Sequence, residues 1–104
     1  MSDKELLEGV EKLLQDTPIE AELEYDYEGN DVLLQWSIGS VYSLDEFEGY
    51  EEEDLKEETE GMIELDELYS LLSKVYKFVR RNHKRPVEEG YSKIDEGIYR
   101  IRIH

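Results

Sequence analysis

The chain has 104 residues, with 28 Asp and Glu against 12 Lys and Arg, a formal net charge of −16 and no cysteine. That charge excludes whole-molecule attraction to DNA, RNA or anionic lipid, which are all polyanions, and the lack of cysteine excludes disulfides, thiolate metal sites and a cysteine nucleophile. The length suits one domain, residues 1–104, burying a little over roughly 60% of its unfolded surface, and eight Tyr, two Phe and one Trp argue against global disorder.

Ser2 and Glu5 form a capping-box pattern, and Leu6, Leu7, Val10, Leu13 and Leu14 recur at helical spacing up to Thr17-Pro18, which predicts a helix over about 3–15. From Ile19 the period becomes two. Ile19, Ala21, Leu23, Tyr25 and Tyr27 alternate with Glu20, Glu22, Glu24, Asp26 and Glu28, as in a half-buried strand. Gly29-Asn30 suits a two-residue II′ turn. Such a turn sets Tyr27 opposite Val32, Tyr25 opposite Leu34, Leu23 opposite Trp36 and Ala21 opposite Ile38, all on one face. The other face then carries Glu22, Glu24 and Asp26 with no Lys or Arg on the partner strand.

Val41, Tyr42 and Leu44 either continue the second strand or turn a corner after Gly39. Residues 45–61 contain ten acids, one Lys and only Phe47, Tyr50 and Leu55 as large apolar groups, with no convincing period. They are expected to form a flexible acidic insertion or a functional loop. A second helix is predicted over about 64–84, with Leu65, Leu68, Tyr69, Leu72, Val75, Tyr76 and Val79 as its apolar stripe, until Pro86 closes it. Its acids lie in the first turn and its bases in the second half, the order that the helix macrodipole favours. The end, "YSKIDEGIYRIRIH", reads as a hairpin about Asp95 to Gly97, with Tyr99, Ile101 and Ile103 inward and Arg100, Arg102 and His104 outward.

The order α-β-β-acidic loop-α-β-β predicts an α+β fold in two layers, an antiparallel sheet with two helices on one face. Charge is unevenly divided. Residues 1–68 hold 24 acids and 3 bases, a net of −21, whereas 69–104 hold 4 acids and 9 bases, a net of +5. Placing the last strand beside 19–27 would set Arg100 and Arg102 next to Glu20, Glu22 or Glu24 and neutralise part of the acidic face.

Two readings of that face stand side by side. Carboxylates every ~6.7 Å along a strand form an anionic track able to imitate a nucleic-acid backbone on a partner's Lys/Arg-lined groove; alternatively the track is the solvated side of an antiparallel sheet. The acidic loop has the same pair of readings, with Tyr50 as aromatic anchor and Glu51, Glu52, Glu53 and Asp54 as steering charges on the functional one. The stretch Asp26 to Asp31 lacks the ligand order of an EF-hand, and no nucleotide-binding, hydrolase or metal motif is present, so no metal, cofactor or enzymatic activity is expected. In "KVYKFVRRNHKR" the aromatics fit the core better than a stacking platform, so direct nucleic-acid binding is not expected either.

The sequence therefore points to a non-enzymatic acidic binding or inhibitor protein, of the physical design shared by nucleic-acid mimics and immunity proteins. Its expected partner is a basic protein, met through Glu20, Glu22, Glu24, Asp26, Tyr50, Glu51, Glu52, Glu53 and Asp54. No apolar run is long enough for a membrane span and the start lacks a signal-peptide core, so the expected setting is cytoplasmic and away from membranes. The competing expectation is that the acidity serves solubility or salt tolerance. A further one is that the two poles associate between copies as salt-sensitive oligomers.

Overall fold

A computed structural model describes residues 2–25, 30–82, 88–93 and 97–103. The chain is α+β, in the order α1 (Asp3–Leu13), β1 (Glu20–Tyr25), β2 (Asn30–Gln35), β3 (Val41–Tyr42), α2 (Glu52–Glu58), β4 (Ile63–Glu64), α3 (Leu65–Asn82), β5 (Glu88–Lys93) and β6 (Ile98–Arg102). Short 3₁₀ turns occupy Ile38–Ser40 and Leu44–Phe47.

The capping box forms as its residues dictate. Ser2 Oγ accepts from the Glu5 amide at 3.2 Å, and Glu5 Oε1 accepts from the Ser2 amide at 3.5 Å, which satisfies donors that have no partner inside α1. The helix stops at Leu13, earlier than its apolar period suggests, because Asp16 adopts a positive φ of 65° and the Thr17 hydroxyl donates to the Leu14 carbonyl at 2.6 Å. Leu6, Val10 and Leu14 of this segment join Leu68, Leu72, Val75 and Val79 of α3 in a single core with Ile19, Val32, Leu34, Trp36, Tyr99, Ile101 and Ile103. Helices α1 and α3 meet closely where Gly9 faces the Phe78 ring, a contact that leaves no space for a β-carbon.

The main sheet is antiparallel in the order β1-β2-β6-β5. Two expectations about it fail. First, the β1–β2 register pairs Ala21 with Leu34, Leu23 with Val32, Glu24 with Asp31 and Tyr25 with Asn30, four residues away from the register that a Gly29-Asn30 turn would impose. An even shift keeps every side chain on its own face, so the apolar pattern cannot detect it. What selects it is β6: the Ile103 amide donates to the Asn30 carbonyl at 2.9 Å, so Asn30 is bound into the sheet instead of turning the chain. In consequence Tyr25 and Ile38, both expected inside, are 64% and 63% exposed. Trp36 is buried as expected but lies beyond the end of β1, its amide donating to the Gly97 carbonyl at 2.9 Å.

Second, the last strand pairs with β2 and not with β1. Central β2 needs a partner on each side, and β1 occupies only one of them. Residues 26–29, 83–87, 94–96 and 104, which include Asp26, lie outside the described residues.

Within 45–61 a helix does form. Helix α2 has little apolar surface, only Leu55 being half-buried, and it gains from Glu52, Glu53 and Asp54 in its first turn at the positive end of the helix dipole. A parallel pair, Val41 with Ile63 and Tyr42 with Glu64, ties the two ends of this segment together beside α3. The α3 stripe matches the period except at Tyr69, which is exposed.

Gly97 closes the β2–β6 ladder with φ +72°, and a β-carbon there would run into the Trp36 carbonyl. Gly97→Ala is expected to lose about 2–4 kcal/mol in urea unfolding, from left-handed strain plus the clash. Gly61→Ala, with φ +76° and open space around it, is expected to lose only about 1 kcal/mol. Equal losses would show that the approach to Trp36 is not what fixes Gly97.

Candidate acidic interface

Strand β1 lies at the edge of the sheet, and its side chains divide by parity. Ala21 and Leu23 pack against the core, which sends Glu20, Glu22 and Glu24 to the opposite, open face. There the register sets Glu22 beside Leu33 and Leu33 beside Arg100, and likewise Glu24 beside Asp31 and Asp31 beside Arg102. Leu33 is only 3% exposed although it is not part of the core cluster. Arg100 explains this: its Nη2 lies 3.4 Å from Glu24 Oε2, so its stem crosses β2 over Leu33.

The open face thus holds a small internal charge network. Arg102 Nε approaches Asp31 Oδ1 at 3.7 Å, and the Asp31 side chain is 6% exposed. The Arg100–Glu24 pair is open to solvent, at 38% and 41% exposure, and contributes at most about 1 kcal/mol. This network uses Glu24 and leaves Glu20 and Glu22 exposed, with no ion pair among the described residues. The neutralising ladder expected from sequence is therefore partial, since β2 stands between the arginines and β1.

The second acidic set sits on a different support. Glu51 is the N-cap residue of α2 without a side-chain cap bond, and Glu52, Glu53 and Asp54 fill the first turn, all four exposed. Tyr50 precedes them, 51% exposed, its ring edge-on to Phe47 with centroids 5.2 Å apart. Phe47 in turn stands edge-on to Tyr42 of β3 at 5.7 Å. This aromatic series orients Tyr50 while leaving half of it in solvent. Exposed Ile38 and Leu44 lie in the same stretch of chain. Their exposure has no signal in the sequence, because apolar alternation places Ile38 on the core face in a register that the sheet does not adopt.

Lys74, Lys77, Arg80 and Arg81 of α3 are exposed, whereas Tyr76 and Phe78 are half-buried against the core and are not free for stacking on bases. Among the described residues no three His, Asp or Glu side chains converge as a metal site, and no helix is long and apolar enough to cross a membrane. A cleft of about 320 Å³ lies between the end of α1 and the start of β1, lined by Glu11, Leu14, Ile19, Glu20 and Ala21. No family model, curated protein or solved structure matches the chain.

Removing the guanidinium by Arg102→Met is expected to cost about 1–3 kcal/mol, because the buried Asp31 carboxylate loses a charged partner. Adding Asp31→Leu should recover most of that loss in the same urea titration. A double variant no more stable than the single one would show that Asp31 contributes through other contacts.

Proposed function

We propose that the protein is a non-enzymatic binding protein whose acidic face occupies a basic, nucleic-acid-binding surface on a partner protein, in the manner of nucleic-acid mimics and immunity proteins. The observation that supports this most is the pair Glu20 and Glu22, exposed on a sheet edge and without an ion pair among the described residues, while Arg100 and Arg102 serve Glu24 and Asp31. Carboxylates at every second strand residue stand ~6.7 Å apart, close to the spacing of phosphates along a nucleic-acid strand, and the sheet spares the backbone that carries them an ordering cost at binding.

The α2 set adds charge of the same sign, and Tyr50 supplies the kind of half-exposed, pre-oriented aromatic that anchors interfaces. For Glu52, Glu53 and Asp54 the helix dipole is a sufficient local reason, so the strand pair carries more of the proposal than the segment does. On this reading the protein is a monomer or a salt-sensitive homo-oligomer that meets its partner in the cytoplasm.

Capture from a lysate of the source cell at low salt tests the proposal. Wild type is compared with Glu20→Gln/Glu22→Gln and with Glu51→Gln/Glu52→Gln/Glu53→Gln/Asp54→Asn, all shown to be folded. The expected result is a basic protein held by wild type, released by salt, displaced by added DNA or RNA, and bound at least about tenfold more weakly by the strand variant. Retention that neither nucleic acid nor the substitutions disturb would refute it.

A further inference from the structure

Backbone geometry adds a second recognition element to the acidic edge. On β2, Asn30 and Trp36 exchange backbone hydrogen bonds with Ile103 and Gly97, so its even-numbered residues direct their amides and carbonyls toward β6 and its odd-numbered ones toward β1. The β1 partners of those odd residues are Glu20, Glu22 and Glu24. By alternation, Ala21, Leu23 and Tyr25 direct their amides and carbonyls outward, along the open edge. Among the described residues none of these three has a backbone bond outside the β1–β2 ladder.

From this we infer that β1 accepts an added antiparallel strand from the partner, a segment in which basic and aliphatic residues alternate; the inference rests on the acidic-interface reading above and specifies how that interface is made. Residues hydrogen-bonded to Ala21, Leu23 and Tyr25 share their face, the core side, where the half-buried Ala21 and Leu23 offer apolar contact to an aliphatic side chain. Residues between them fall opposite Glu20, Glu22 and Glu24 in the closely spaced, non-hydrogen-bonded positions, where a lysine or arginine meets each carboxylate at short range.

The same geometry argues against a second copy as the occupant. Antiparallel pairing of β1 with itself would bring two rows of Glu20, Glu22 and Glu24 face to face, and directly opposed like charges oppose the pairing. Nucleic acid is disfavoured for the same reason of sign.

Three fluorescent peptides decide the matter by anisotropy with the full chain at low salt: one alternating lysine and valine, one N-methylated at the valines and one N-methylated at the lysines. Strand addition uses the valine amides against the outward carbonyls of β1, so valine N-methylation is expected to weaken binding at least about tenfold, while lysine N-methylation leaves it within about threefold. Glu20→Gln/Glu22→Gln should weaken the parent peptide by a similar factor. Equal binding of all three peptides, still reduced in the charge variant, would overturn strand addition and leave the acidic-interface reading standing. Binding of none, or a dimer on gel filtration that the parent peptide does not dissociate, would also overturn strand addition, and the lysate capture then decides the wider reading by itself.

Discussion

Central strand β2 is the element on which the rest of the sheet depends. Its backbone is claimed on both edges, by β1 through one parity of residues and by β6 through the other. Its side chains are buried on both faces, Val32 and Leu34 toward the helices and Leu33 beneath Arg100. A strand so enclosed tolerates no odd slip, because a shift of one residue would bring Asp31 into the core and Val32 out of it. With β6 fixed by Asn30 and Trp36, β1 is left at the edge, and two of its three described open-face carboxylates stand beyond the arginines of β6.

Charge placement follows from that arrangement. Arg102 meets the deeply buried carboxylate of Asp31, and without charged or hydrogen-bonded partners that group would cost several kcal/mol. Arg100 spends its length over Leu33 and reaches Glu24 at its tip, so its stem also contributes through packing. Among the described residues Glu20 and Glu22 take part in no such pair. A net charge of −16 on a small domain opposes compaction through self-repulsion.

Much of this was legible in the sequence. The Ser2–Glu5 cap, the α1 and α3 stripes, the alternation of β1 and the inward set Tyr99, Ile101 and Ile103 follow from local chemistry and periodicity, and the sheet and helices share the core that those residues define. Register was not legible, since apolar alternation is blind to even shifts and Gly29-Asn30 carries a turn signal that the demand of β6 for the Asn30 carbonyl overrides. Strand order was not legible for a related reason: charge complementarity placed β6 beside β1, but backbone pairing and the burial of β2 outweigh exposed ion pairs. Helix α2 escaped notice because it has no apolar stripe and depends on its first-turn acids and its tethered ends. At the candidate interface, the identities of Glu20, Glu22 and Tyr50 came from sequence. Which carboxylates are already paired, and which backbone groups lie open beside them, required the fold.

The central claim is that Glu20 and Glu22 are surplus to the fold. Urea unfolding of Glu20→Gln/Glu22→Gln against wild type, at low and at high salt, tests it most directly. Relief of repulsion along β1 predicts unchanged stability or a gain of up to about 1 kcal/mol at low salt, shrinking as salt screens the charges. A loss greater than about 1 kcal/mol that persists in salt would mean that these carboxylates hold the sheet together, and the case for an outward-facing acidic interface on β1 would fall.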